Sequence, residues 1–157
     1  MAPRITIARE SDLDYLAESF AAIVRSFKSL EIDPYIAGLP TAPNYPLARS
    51  HIDNPDSIAF VATEGKNYLG CILGSILESS FPAAGLGRVG CIELCWVEAG
   101  YRRRGLAARL TNTLENWFRE QKIGIVELSY LAQNNDSATA WTQLGYEAFR
   151  VYAYKSL

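Results

Sequence analysis

The sequence predicts a mixed α/β domain, and three observations carry that expectation. Strand-type and helix-type runs alternate along the chain. A strand, a tight glycine turn and a helix follow one another over residues 89 to 118. Apolar residues make up 49% of 157, enough for one full core in a single domain spanning 1–157.

The elements read in order as follows. Residues 4 to 8, Arg-Ile-Thr-Ile-Ala, alternate as a first strand. Ser11 reads as an N-cap with Asp12 and Asp14 in the first turn, and Leu13, Leu16, Ala17, Phe20, Ile23, Val24 and Phe27 mark an amphipathic helix to about residue 28. Pro34, Gly38, Pro40, Pro43 and Pro46 break regular structure through 29 to 46, before a short helix from Pro46 to about Asp53. His51 lies there and reads as an exposed helix residue rather than a base. Ser57 to Thr63 and Tyr68 to Leu77 read as a hairpin about Glu64-Gly65-Lys66-Asn67, with Gly70 and Gly74 marking a bulge or a close backbone approach. A small-residue loop fills 79 to 87.

The central unit is the most informative stretch. Val89, Cys91, Ile92, Leu94, Cys95, Trp96 and Val97 form an apolar run of strand length. A turn with Arg102, Arg103, Arg104 and Gly105 follows, and then Leu106, Leu110, Leu114, Trp117 and Phe118 recur at helical spacing. The first amides of such a helix have no partner within it, so they and the dipole favour a polyanion. A solvated basic loop capping a core helix is the other reading. Beyond Gly124, read as the helix end, Ile125 to Leu131 is a strand, and Asn134 to Gly145 is a helix stopped by glycine. Glu147 to Lys155 alternates as a last strand.

The turn Arg102-x-x-Gly105-x-Ala107 resembles the signature Arg/Gln-x-x-Gly-x-Gly/Ala of the GNAT superfamily of acyl-CoA-dependent N-acyltransferases. The segment Asn134…Trp141…Leu144-Gly145-Tyr146 is similar to that family's asparagine, tyrosine and Leu-Gly-Phe pattern, with tryptophan at the tyrosine position. The resemblance runs from about residue 4 to the end. It implies an α+β fold: a mixed, mostly antiparallel sheet splayed between its two central strands and flanked by helices. It also implies acetyl-CoA as co-substrate, its pyrophosphate on the amides of Gly105, Leu106 and Ala107 beside Arg102, Arg103 and Arg104. The pantetheine arm would lie against Trp96, Val97, Asn134 and Trp141. Asn134 reads equally well as a helix cap, and Trp141 as core.

The chemistry of acetyl transfer to an amine then singles out side chains. Glu93 is the only charged residue in the central apolar strand, and desolvation would raise its pKa toward that of a usable base. An anchor for a cationic acceptor is the competing role. With Trp141 unable to act as an acid, Tyr130 and Ser137 are the nearest hydroxyls, although a thiolate of ordinary pKa about 8.5 leaves readily without one. Tyr35, Tyr45 and Phe81 fall in the two loops that the resemblance places at the acceptor site. No cysteine lies in a polar setting, which points to direct transfer in a ternary complex.

Composition bounds the partners. Cys71, Cys91 and Cys95 all sit in apolar runs and read as reduced, buried thiols. A single histidine and no Cys-x-x-Cys argue against a metal. Net charge of −2 gives no general attraction for nucleic acid, and no apolar run reaches the roughly 20 residues of a membrane span. Met1-Ala-Pro-Arg-Ile has no secretory h-region, so a cytoplasmic location is expected. The resemblance, not the composition, implies an acceptor that is a small-molecule amine or a protein or peptide amine, and a possible homodimer, since family members are often dimers. An acyl-CoA-binding module that turns over slowly or not at all is the rival reading, with Trp141 as its basis.

Overall fold

The computed structural model describes residues 3–28, 38–79, 85 and 87–155. Five strands form one sheet in the order β1 (Arg4–Ile7), β2 (Ser57–Glu64), β3 (Asn67–Glu78), β4 (Arg88–Val97) and β5 (Val126–Leu128). The first four pair antiparallel, and β5 runs parallel to β4. The helices are α1 (Leu13–Lys28), α2 (Tyr45–Asp53), α3 (Leu106–Glu120) and α4 (Asn135–Gln143). This is the α+β fold with a mostly antiparallel sheet that the resemblance implies. Among the described residues no helix is long and apolar enough to cross a membrane.

Each face of the sheet has its own core. Leu106, Leu110, Leu114 and Phe118 recur along α3 and bury against Phe60, Ile72, Ile76 and Ile92. Leu13, Leu16 and Ala17 of α1 and Ala48 of α2 cover the other face over Val61, Cys71, Leu73 and Leu94. Two glycines let α3 lie close. A Cβ on Gly74 would meet the Leu114 methyls at 2.8 Å, and one on Gly90 would meet the Phe118 ring at 2.8 Å. Gly70 and Gly74 thus mark close approach, as the sequence suggested, and a register shift between Leu73 and Gly74 adds a bulge.

Several boundaries differ from expectation. Ser11 does not cap a helix: residues Glu10–Asp12 form a 3-10 turn, and the Asp12 carboxylate accepts from the Arg9 amide at 2.8 Å. Helix α3 ends at Glu120, not at Gly124, and Lys122 takes the left-handed conformation at φ 61°. Strand β5 is three residues long rather than seven. Residues 147–155 form no strand, and Phe149, Val151 and Tyr152 are 78%, 85% and 77% exposed. Alternation shows which side chains suit a sheet face; it does not supply the neighbouring edge that a strand must pair with. Gly145 does end α4 as expected. At φ 89° it lets its own amide bond Thr142 and the Tyr146 amide bond Trp141, each at 3.0 Å.

The Gly90 contact yields a stability prediction. Gly90→Val should destabilise the fold by about 1–3 kcal/mol through overpacking against Phe118. Gly38, whose Cβ would meet nothing within 4 Å, should accept alanine within about 0.5 kcal/mol. Urea denaturation of the two variants would check both.

Candidate functional site

Strand β4 carries one residue more than its neighbour at its centre. Leu94 pairs with Leu73 and Ile92 pairs with Gly74, leaving Glu93 as the extra residue of a bulge. The insertion resets the alternation of faces. Ile92 and Cys95 pack toward α3, whereas Leu94 and Trp96 pack toward α1 and α2. The ladder to β5 ends at the same place, since the last pair is Ile92 with Leu128. Beyond it the two strands part, and the cleft between them is lined by Glu93, Cys95, Tyr130, Asn134, Ser137 and Trp141.

Glu93 has a partner that sequence reasoning placed elsewhere. His51, expected to be exposed, is 3% accessible, and its Nε2 forms an ion pair with Glu93 Oε2. Its Nδ1 lies 2.8 Å from the Leu47 carbonyl. A carbonyl only accepts, so Nδ1 carries a hydrogen. Ser75 Oγ is 3.4 Å from Nε2 and 2.8 Å from Ser57 Oγ, which extends the polar group across β3 to β2. The periodicity of α2 could have hinted at this, because His51 stands three residues after buried Ala48 on one helix face.

This pairing corrects the expected ionisation of Glu93. Burial does push its carboxyl pKa up, but the hydrogen bond and charge of His51, with help from Ser75, outweigh burial and leave it below the usual value. The Glu93 side chain is 25% accessible. It still reaches the cleft.

At the far end of β4 the chain turns through Ala99–Tyr101 and enters α3. Gly105 is the N-cap at φ 76°, in left-handed backbone that glycine adopts without strain. No side chain caps this helix, and the space where a Cβ of Gly105 would sit is open. The first-turn amides at Leu106 and Ala107 are therefore free of a side-chain cap, with exposed Arg103 and Arg104 just before them. Arg102 is exposed as well and makes two contacts of its own. Its Nε donates to the Val97 carbonyl at 2.8 Å, and its guanidinium lies 4.9 Å from the Trp96 ring centre. Arg104 makes a similar contact, its guanidinium 5.7 Å from the Tyr101 ring centre. These groups fit the diphosphate of a coenzyme: free amides, two cations and an approach that no side chain blocks.

Two further residues were missed. Glu98 accepts from Trp96 Nε1 at 3.0 Å and from the Tyr15 hydroxyl at 2.9 Å, tying the end of β4 to α1. Tyr15 stacks on Tyr68 with ring centres 4.2 Å apart. Neither carries a sequence signal, because the pair forms across 83 positions.

Other expected site residues fall as follows. Asn134 caps α4, its side chain accepting from the Ser137 amide at 3.1 Å. Trp141 is half-buried and meets Tyr146 edge-on at 5.4 Å. Tyr130 is 36% exposed in the cleft. Tyr45 opens α2, 45% exposed, and its hydroxyl is held by Asp14, which raises its pKa. Tyr35 and Phe81 lie outside the described residues. Burial pushes the thiols of Cys71 and Cys95 up to about 12 and that of Cys91 to about 11, so none is a ready nucleophile.

Comparison with known proteins bears on this geometry. The chain matches the model of the acetyltransferase (GNAT) family over residues 24–146. No curated protein matches by sequence. Among solved structures, it resembles the aminoglycoside 6'-N-acetyltransferase AAC(6')-Ih from Acinetobacter baumannii, with TM-score 0.72 at 20% identity over 99% of each chain. A ribosomal-protein-alanine N-acetyltransferase from Brucella melitensis biovar Abortus gives TM-score 0.70 at 18% identity, over 99% of this chain and 100% of that one. AAC(6')-Iy in complex with a coenzyme A bisubstrate analogue gives TM-score 0.69 at 17% identity, over 100% and 99%. With most of its length matched by the family model, the chain belongs to the GNAT family of acetyltransferases, which use acetyl-CoA.

Proposed function

We propose that the chain, acting as a single domain, transfers an acetyl group from acetyl-CoA to a primary amine directly, in a ternary complex. The carrying observation is the coincidence at Glu93: a carboxylate bulges from β4 where β5 departs, at the inner end of a cleft. An uncapped helix start with Gly105 lies where β4 leads into α3. Bound there, acetyl-CoA supplies the acyl group as a thioester. The amides of Leu106 and Ala107, with Arg103 and Arg104, hold the diphosphate. The open edge of β4 and the wall formed by Trp141 seat the arm.

Protons set the roles of the side chains. A lysine-type amine of pKa about 10.4 is neutral in fewer than roughly one molecule in a thousand at pH 7. Glu93, held ionised, attracts the cationic acceptor into the cleft; the species that attacks is its small neutral fraction, whose first proton has already passed to solvent. A carboxylate of lowered pKa is too weak a base to strip that ammonium outright. Once the new C–N bond forms, however, the nitrogen becomes a much stronger acid, and Glu93 accepts its proton directly or through water. Tyr130, which lines the cleft with Ser129 and Ser137, serves as proton donor to the leaving sulfur. Raised thiol pKa values support direct transfer over an acyl-cysteine. The acceptor is a small-molecule or peptide amine, as the aminoglycoside and ribosomal-protein acetyltransferases among its structural relatives suggest.

Three variants test these roles. Glu93→Gln should lower kcat/KM by about 10²–10⁴, the usual contribution of a general base, while calorimetry with coenzyme A stays unchanged. An equal rate would remove Glu93 from the reaction. Gly105→Val should weaken coenzyme A binding at least tenfold, since valine at φ 76° is strained and would fill the open corner. Tyr130→Phe should lower kcat only about tenfold, below an obligatory acid's share, because thiolates leave well. Binding of coenzyme A without thiol release across a panel of amines would favour the acyl-CoA-binding module instead.

A further inference from the structure

We infer that His51 is a positioning residue for Glu93: by holding a proton between its Nε2 and Glu93 Oε2, it turns the carboxylate toward the cleft in the ionised form. This rests on the acetyl-transfer reading above. The clamp is built from both sides. Leu47 accepts from Nδ1 at 2.8 Å, so the ring cannot offer that nitrogen to anything else, and Nε2 is the only site left to vary. Without a proton there, the lone pairs of Nε2 and Oε2 would face each other in a pocket where His51 is 3% accessible. Such an arrangement is repulsive, and little water reaches it to intervene. One proton must therefore sit between them.

The surroundings favour the charged pair, imidazolium with carboxylate, over the neutral one. Ser75 on β3 supplies a hydroxyl to the pair and is itself linked to Ser57 on β2. From α2, Ser50 Oγ lies 3.4 Å from Nδ1, and from α1 the Phe20 ring packs 6.4 Å from the imidazole. On β4, Cys91 and Cys95 flank Glu93 two positions away on either side, and Cys91 senses both Glu93 and Glu127 of β5. A positive imidazolium offsets that acidic side. Glu93, the inserted residue of the bulge, otherwise has no strand partner at its position to fix its direction.

A purely structural pair, pinning α2 to the sheet, would leave the reaction's pH dependence untouched, and this separates the two roles. His51 is the only histidine, so its ring nitrogens can be read unambiguously in protein labelled with 15N-histidine. At pH 7.5 and without substrate, both nitrogens should be protonated in the unmodified chain. In Glu93→Gln, Nε2 should lose its proton while Nδ1 keeps its own. A neutral ring protonated only at Nε2 in the unmodified chain, or identical spectra in the two proteins, overturns the inference. In kinetics, His51→Gln should lower kcat/KM at least tenfold with KM for acetyl-CoA unchanged. The acid limb of its pH profile should move to higher pH, because burial still raises the Glu93 pKa and the opposing effect of His51 is gone. A folded His51→Gln enzyme with the original profile overturns the inference and leaves the acetyl-transfer reading standing. Absence of turnover by the unmodified chain with any amine removes both. Should His51→Gln fail to fold, the spectra of Glu93→Gln decide.

Discussion

The insertion of Glu93 into β4 is the constraint on which the rest of the site depends. One extra residue shifts the pleat, so that the residues before and after it bury opposite faces in two separate cores. The ladder to β5 ends one residue before it, at Ile92 with Leu128. A sheet that stayed paired past this point would have its edge groups satisfied and would have no cleft. Because pairing stops, β4 keeps unpaired backbone groups that must find water or a ligand, and it presents a carboxylate beside them.

Packing on the two faces holds that discontinuity in place. Glycines at 74 and 90 bring α3 down onto β3 and β4, and this fixes where the helix begins. Its uncapped start then lies beyond the outer end of β4, with Gly105 in a conformation that other residues would adopt only with strain. On the opposite face, α1 and α2 carry groups that hold β4 at two points. Tyr15 reaches Glu98, and His51 reaches Glu93. The proposed diphosphate site and the proposed proton-handling site thereby rest on different faces, joined by one strand.

Much of this was legible from local patterns, and the reasons for the failures are physical. The start and period of α3, the turn at Gly105 and the glycine end of α4 are short-range signals, and each formed where it was read, although α3 stops at Glu120, short of Gly124. Glu93 stood out because a charge inside an apolar strand needs a reason. What it pairs with was hidden, because His51 is 42 positions away and the α2 stripe is short. The raised pKa expected for Glu93 followed from burial alone; the structure adds His51, whose interaction outweighs burial and reverses the sign. The contacts of Arg102 with the Val97 carbonyl and the Trp96 ring were likewise not legible, although it stays exposed at the turn. The last strand failed because alternation at 147–155 had no paired edge to act on. Tyr35 and Phe81 remain sequence expectations, since they fall outside the described residues.

Amide hydrogen exchange with and without coenzyme A tests the parted strands most directly. Slowed exchange at Glu93 to Val97 and at Leu106 to Ala108, with Gly90 to Ile92 unchanged, is the result this account predicts. Uniform protection along β4, or none at either segment, would contradict it.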